Sequence, residues 1–245
     1  MQILLIRFDA ALMSFGDVRV DSRGPTRDHP GLGQLTGLLG NALGYDHADH
    51  QKLARLQDRL RLASRCDRAG ERQLDYQTVD LGQDFMREGW TTSGSAEGRK
   101  RGSASTGTHI RQRIYHAGRV QTLAIALDPP AESPTVAELG AALDAPARPL
   151  FLGRKPCLPA GRLNLGLIAA DTLLTALQQA PRWRHRAQAA ATSLTAWWPE
   201  DPAVTAPPAS QLSAVVDERD WVGQVVVGRR LVRCGRIVVD EVAHV

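Results

Sequence analysis

Short apolar runs separated by polar turns mark the strands expected in the first 145 residues of the chain. Ile3–Phe8 and Leu123–Leu127 are apolar runs of strand length. Arg61–Cys66 alternates between polar and apolar side chains, as a strand does when one of its faces is buried. The pattern therefore predicts three strands in this region.

Apolar residues at helical spacing predict three helices among these strands. Leu32–Leu43 is a run rich in Gly, Leu and Ala that Gly44 ends, and Ala48–Leu60 carries leucines on one helical face. Ser133, followed by a proline, gives an N-cap and first-turn signal for a helix through Leu143. Strands alternating with helices in this order predict an α+β fold of the ferredoxin-like or RNA-recognition type.

Three glycines of the first helix need an explanation, because each glycine costs a helix about 1 kcal/mol relative to alanine. Gly33, Gly37 and Gly40 are three to four residues apart and form one smooth face. Tight packing against a neighbouring element of the same chain is one explanation. The other is a nucleic-acid backbone or a partner subunit near the helix start, where free N–H groups favour anions.

The pattern breaks between Asp67 and Tyr115. Gly94–Gly107 has no apolar periodicity, and a long insertion of this kind is usually functional or disordered. Arg111 and Arg113 follow it in alternation with isoleucines, so both arginines would share one strand face. We expect a projecting arm that becomes ordered when it binds an anion.

The C-terminal part is expected to be rich in strands. Asp171 is the predicted cap of a short helix over Thr172–Gln179, and Pro199–Ala209 is a predicted surface loop. The chain then alternates valine with glycine and arginine, which predicts two or three strands, including Gln224–Val227 and Arg236–Val239.

Composition describes an ordinary soluble protein of 245 residues, with 43% hydrophobic residues and no apolar run near the roughly 20 residues of a membrane span. The N-terminus reads as a strand and not as a signal peptide. Cys66, Cys157 and Cys234 are odd in number and far apart, so neither a disulfide framework nor a zinc signature is expected. A reducing cytoplasm is the expected location.

Arginine supplies 27 of the 30 cationic side chains, and the net charge is +4. A GC-rich genome can produce this bias without any functional reason. Guanidinium groups also bind phosphate and stack on bases, so the same bias suits a nucleic-acid partner. Three clusters fit one phosphate-bearing ligand and together favour RNA. They comprise Arg23 and Arg27 before the first helix; Arg99, Lys100, Arg101, Arg111 and Arg113 in the arm; and Arg154 with Lys155 in a glycine turn.

Evidence for other chemistry in the sequence is weak. Asp46–His50 holds acidic and histidine side chains but lies at a helix start, where capping explains them better than metal binding. No phosphate-binding P-loop or serine-hydrolase elbow is found. A general acid–base ribonuclease stays open. Its candidate groups are Tyr76, Lys100, His109, Tyr115 and His116, although their spacing does not bring them together and His116 could equally face solvent.

Five ordered blocks resemble the CasD family, the Cas-five-type subunits of type I-E CRISPR surveillance complexes (Cascade). The match covers most of residues 1–165 and fades beyond about residue 170. The blocks are Leu12–Gly16, Pro25–Arg27 with the glycine-rich helix, Asp75–Thr78, Arg111–Tyr115 and Phe151–Cys157.

The resemblance implies a single Cas-five-type domain over residues 1–245. It would consist of a ferredoxin-like palm, 1–75 and 116–245, with an inserted thumb, 76–115, and a β-rich C-terminal extension. The implied role is non-catalytic, with no metal and no cofactor. The subunit would hold the 5′ handle of the CRISPR RNA (crRNA), cap the filament of Cas-seven-type subunits beside the large subunit, and reach target DNA only indirectly.

The resemblance and the basic clusters give one set of expected RNA-binding residues. Their guanidinium and ammonium groups would bind phosphates, with Tyr115 packing or stacking nearby. The set comprises Arg23, Arg27, Arg99, Lys100, Arg101, His109, Arg111, Arg113, Tyr115, Arg154 and Lys155. The alternative is a metal-independent endoribonuclease that processes repeat RNA, as Cas-five-type proteins do in type I-C systems.

Overall fold

The computed structural model describes residues 1–18, 22–80, 88–90, 96–98, 108–183, 193–202 and 204–239. The helices in this part of the chain are α1 (Leu32–Ala42), α2 (His50–Arg59), α3 (Val136–Asp144) and α4 (Leu173–Gln179). The strands are β1 (Gln2–Asp9), β2 (Leu12–Met13), β3 (Arg23–Gly24), β4 (Leu60–Arg68), β5 (Glu71–Asp80), β6 (Glu88–Trp90), β7 (Ala96–Gly98), β8 (Thr108–Ala117), β9 (Val120–Leu127), β10 (Asn164–Ala169), β11 (Ser193–Pro199), β12 (Gln211–Val215), β13 (Glu218–Asp220), β14 (Val225–Val227) and β15 (Arg230–Val238).

A seven-stranded sheet in the order β10-β1-β9-β4-β11-β15-β12 forms the centre of the fold. Its first four strands pair antiparallel, so β1 and β4 run in the same direction on either side of β9. With α1 and α2 between β1 and β4, and α3 between β9 and β10, this is the split βαβ arrangement of a ferredoxin-like fold. The predicted α+β class is therefore confirmed.

The strict alternation of side chains along β1 explains why both faces of the sheet are covered. Leu4 and Ile6 belong to the core beneath α1 and α3, with Leu35 of α1. Ile3 and Leu5 belong to the core on the other face, beneath α4. Strands that are buried on both faces are apolar throughout, which is why β1 and β9 could be recognised as continuous runs.

The β-rich character of the C-terminal part is also confirmed, and its strands extend the central sheet directly. Strand β11 pairs with β4 at Ala196 and Trp197, and β15 and β12 follow outwards. Trp198 is fully buried in the core on the α4 face. The short hairpin of β13 and β14 packs against α1 and α2.

Several predicted boundaries were wrong. Thr135, not Ser133, is the N-cap of α3, because its hydroxyl and Glu138 form a reciprocal capping box. Thr172, not Asp171, caps α4 through the amide of Thr175. The last predicted strand begins at Arg230 instead of Arg236, since polar positions within β15 hid its first half.

A long antiparallel ribbon, β5 paired with β8, is inserted between β4 and β9. Its pairing starts at Glu71 with Ala117 and continues to Asp80 with Thr108. The palm and thumb bounds at 76 and 115 stay a prediction, and the pairing runs across both of them. Most of Gly94–Gly107 lies outside the described residues, apart from Ala96–Gly98.

Candidate nucleic-acid interface

One face of the ribbon collects the cationic residues predicted for β8. Directly paired residues of an antiparallel ribbon point to the same face, and alternate residues share it. The register pairs Arg113 with Asp75 and Arg111 with Gln77. We call this side the arginine face; it holds His109, Arg111, Arg113 and Tyr115 of β8 with Glu71, Gln73, Asp75, Gln77 and Val79 of β5. The prediction that Arg111 and Arg113 share one strand face is confirmed.

Strand β3 runs parallel to β8 and brings a second part of the chain to this site. Gly24 lies level with Arg113, and the amide of Gln112 donates to the Ser22 carbonyl at 3.0 Å. Arg23 lies level with Gln112, so the pleat directs it to the opposite side from Arg113. Arg23 is exposed, but it does not belong to the arginine face.

Arg154 joins β3 and β8 at the base of the ribbon. Its Nη1 donates to the Ile114 carbonyl at 2.9 Å, and its Nη2 donates to the Gly24 carbonyl at 3.0 Å. Its guanidinium carbon also lies 4.6 Å from the ring centre of Tyr115, which is only 4% exposed. A side chain on Gly24 would displace Arg154, because a Cβ there would lie 2.9 Å from Nη2. We call this unit of Arg154, Tyr115 and Gly24 the bracket.

Arg27 is held by its own chain. Its Nε donates to Asp17 at 3.0 Å, and its Nη2 donates to the Val216 carbonyl at 2.6 Å. The bond to Val216 ties the segment before α1 to the connection between β12 and β13. A phosphate contact by Arg27 stays a prediction.

The remaining predicted residues are dispersed. Lys155 is exposed in the turn after Arg154, and His109 is half-buried on β8, level with Val79. Three residues of the arm fall outside the described part of the chain: Arg99, Lys100 and Arg101. Their contribution to RNA binding stays a prediction.

His116 is buried, so the interpretation of it as a solvent-facing residue was wrong. Its Nε2 lies 2.7 Å from the Arg27 carbonyl oxygen, and its ring packs 5.4 Å from that of Phe15. Burial lowers the pKa of His116, which favours the neutral form of the ring. A neutral ring bound to a carbonyl holds the structure together and is poorly placed to meet RNA.

Several other arginines are also buried in the interior of the fold. Arg65 is buried with Asp67 at 2.8 Å and binds carbonyls at the end of α4. Arg59 binds carbonyls in the turn before α3, and Arg119 binds the Asp28 carbonyl at 2.6 Å. Part of the high arginine content therefore serves to hold the fold together. Candidate phosphate contacts have to be identified from where each arginine lies in the structure.

The glycines of α1 pack against the protein itself. A Cβ at Gly40 would lie 2.6 Å from Leu53 Cδ2, and a Cβ at Gly33 would lie 3.1 Å from the Asp217 carbonyl oxygen. The amides of Leu32 and Gly33 donate to the Asp217 carboxylate and carbonyl, at 3.0 and 2.8 Å. Packing within the chain is thus confirmed. The expectation of free N–H groups for an anion at this helix start was wrong, because Asp217 binds them, whereas a partner subunit near this helix stays a prediction.

The residues Asp46–His50 bind their own backbone. Asp49 accepts from the Asp46 amide at 2.8 Å and pairs with Lys52. Across the described ranges, no three His, Cys, Asp or Glu side chains converge as a metal site. Within the same ranges, none of the helices combines the length and hydropathy needed to cross a bilayer.

Sequence reasoning missed the roles of Gly24 and of β5. Gly24 carries no signal of its own, since its importance comes from Arg154, 130 residues away. Asp75 and Gln77 were noticed only as part of a matching block, without a role. The available signal was the alternation of Asp75 and Gln77 with the apolar residues Leu74 and Tyr76, which are exposed.

Comparison with known proteins decides the family. The family model described as CRISPR-associated protein (Cas_Cas5) matches residues 3–233. The chain belongs to this family. No curated protein matches the sequence.

Solved structures support the same fold for this Cas5-family chain. A chain described as "CRISPR RNA-guided surveillance complex" is similar with a TM-score of 0.71 and 22% identity, over 97% of this chain and 90% of that one. A second, described as "Crystal structure of Cas protein", has a TM-score of 0.62 and 23% identity, over 96% and 95% of the two chains.

Proposed function

We propose that this chain is a non-catalytic crRNA-binding subunit of a type I-E CRISPR surveillance complex. In this role it holds the 5′ handle of the crRNA and caps the filament of Cas-seven-type subunits, beside the large subunit. Target DNA is then met only through the RNA. Membership of the Cas5 family and the likeness of fold to a surveillance-complex chain support this role; the five sequence blocks favour type I-E.

The arginine face carries the proposal for RNA. Arg111 and Arg113 lie on one side of a ribbon whose base the bracket fixes, so two long guanidinium groups are presented from a defined position. Guanidinium groups bind phosphates through paired hydrogen bonds. Spacing by two residues along a strand suits successive phosphates of an extended single strand.

A binding role without cleavage fits the state of the candidate acid–base groups. General acid–base catalysis needs a group within hydrogen-bond reach of the proton that it moves. Tyr115 is buried beneath Arg154, and His116 is buried against the Arg27 carbonyl. Arginine itself stays protonated and cannot shuttle protons near neutral pH.

Co-expression with the neighbouring genes and a CRISPR array tests the assembly role. Purification of the tagged chain should recover backbone and large subunits together with RNA that begins with a repeat-derived 5′ handle. Recovery of the protein partners with RNA that lacks the handle would contradict the handle-holding role.

Incubation of the purified chain with labelled repeat RNA, with and without magnesium, tests for catalysis. We expect no specific cleavage. Cleavage by the wild-type chain that disappears in His109→Ala would contradict the non-catalytic role and favour the endoribonuclease alternative.

A further inference from the structure

The arginine face has a second column of polar side chains, on β5. Gln73, Asp75 and Gln77 lie level with Tyr115, Arg113 and Arg111, respectively. Directly opposite residues on one face have their Cβ atoms about 5 Å apart. The face therefore presents Arg111 and Arg113 on β8 beside Gln73, Asp75 and Gln77 on β5, with Glu71 and Val79 at the two ends of the β5 column.

Asp75 and Gln77 are joined within that column. Gln77 Nε2 donates to Asp75 Oδ2 at 2.7 Å. This bond uses one of the two N–H groups of the Gln77 amide and leaves its second N–H and its Oε1. Asp75 is half-buried, whereas Gln77 is exposed. Asp75 itself consequently offers acceptors: its second carboxylate oxygen and the remaining lone pairs of the first.

A carboxylate repels phosphate and accepts hydrogen bonds, so the partner of Asp75 must be a donor. Phosphates fix a nucleic acid in place, while base edges carry the sequence information. Single-stranded RNA exposes the Watson–Crick edges of its bases to side chains. Among the four bases, guanine alone has two adjacent donors on that edge, N1–H and the N2 amino group, and they match the two oxygens of a carboxylate.

We propose that Asp75, oriented by Gln77, recognises a guanine base in the single-stranded RNA whose phosphates Arg111 and Arg113 bind. The inference rests on the proposed RNA-binding function and adds its base specificity. The side-chain lengths suit this division, because an arginine side chain is longer than that of Asp75. When a guanidinium group binds the phosphate of a nucleotide, the edge of that nucleotide's base stays free to turn back towards β5.

Fluorescence anisotropy on the full chain tests the proposal with labelled uridine oligomers of roughly eight nucleotides. One central position carries guanosine, inosine, adenosine or uridine. Inosine keeps N1–H but lacks the N2 amino group, so it removes one of the two hydrogen bonds. We expect guanosine to bind about tenfold more tightly than inosine, since a hydrogen bond to a charged group is lost.

Asp75→Asn should bring the guanosine-to-inosine ratio close to one, while the affinity for the all-uridine RNA is kept or increased. Asp80→Asn is the matched control, because it makes the same change on the opposite face of the same strand and should leave the ratio unchanged. A wild-type ratio near one, or an undiminished ratio in Asp75→Asn, would overturn the proposal.

The experiment distinguishes a failure of the proposed RNA-binding function from a failure of the guanine proposal. If Arg111→Ala with Arg113→Ala leaves the affinity for every oligomer intact, the arginine face does not bind RNA. If that double variant loses affinity but guanosine shows no preference, the RNA-binding role holds and the inference about Asp75 is wrong.

Discussion

The guanidinium group of Arg154 stacks on Tyr115 at 4.6 Å and at the same time binds the carbonyls of Ile114 and Gly24. The sequence predicted Arg154 as a phosphate contact. Its position shows that it first holds strand β3 against β8, which is the strand that carries Arg113. Through the bracket, the turn that contains Arg154 holds the base of the ribbon in place.

Arg154→Lys should lower the free energy of unfolding by about 2 kcal/mol, because an ammonium group cannot keep both carbonyl bonds and the stacked plane. Gly24→Ala should have a similar effect, since its Cβ would meet Arg154 Nη2. Urea unfolding measures both. Lys155→Ala is the control, because Lys155 is the next residue in the chain and is exposed. It should change the free energy of unfolding by less than about 0.5 kcal/mol. Full stability in Arg154→Lys would show that the bracket is dispensable.

Two glycines of α1 should respond to alanine with opposite signs. Gly37→Ala should stabilise the protein by about 0.5–1 kcal/mol, because its Cβ would make an ordinary contact of 3.6 Å with Trp221. Gly40→Ala should destabilise it by about 1 kcal/mol or more, because its Cβ would lie 2.6 Å from buried Leu53. Thermal or urea unfolding separates the two. Equal effects would contradict the packing account of this helix.

Stability should fall in mild acid because of His29. Burial lowers the pKa of His29 from 6.5 to about 4, with Arg230 and Arg27 adding to the effect and the hydrogen bond to Pro30 opposing it. The unfolded chain therefore takes up a proton below about pH 6.5 that the folded chain refuses. The stability contributed by the neutral ring is complete above that pH and is lost as the pH falls towards 4.

Urea unfolding at several pH values checks the effect of His29. Between pH 7 and 4 the wild-type chain should lose about 3 kcal/mol more than His29→Gln does. His47→Gln, at an exposed loop position, is the control and should follow the wild type. Parallel curves for the wild type and His29→Gln would contradict this assignment.

Local patterns predicted the helices and the apolar strands, because burial on both faces of β1 and β9 leaves a continuous signal in the sequence. Strand β5 was missed, since Glu71–Asp80 is mostly exposed and owes its conformation to pairing with β8. The order of the sheet and the continuation through β11 depend on contacts between distant residues. No local pattern contains that information.

The candidate site was predicted in part for the same reason. Alternation was enough to place Arg111 and Arg113 on one face. It could not distinguish them from buried Arg65 or Arg119, since a buried and an exposed arginine look alike in sequence. Likewise, Asp217 fills the start of α1 from 185 residues away, and only the folded chain brings the two together.

The salt dependence of RNA binding tests the central claim most directly. Binding of the full chain to a labelled 5′-handle RNA is measured at several salt concentrations for the wild type, for Arg111→Ala with Arg113→Ala, and for Arg61→Ala with Arg162→Ala. The last pair removes the same charge from two exposed surface ion pairs away from the ribbon.

The account predicts that the Arg111 and Arg113 double variant binds at least about tenfold more weakly, and that its slope of log affinity against log salt becomes shallower by about 1.4, the loss of two phosphate contacts to a single strand. The Arg61 and Arg162 control should keep nearly the wild-type affinity and slope. An unchanged affinity and slope in the Arg111 and Arg113 variant would contradict the claim that the arginine face binds RNA.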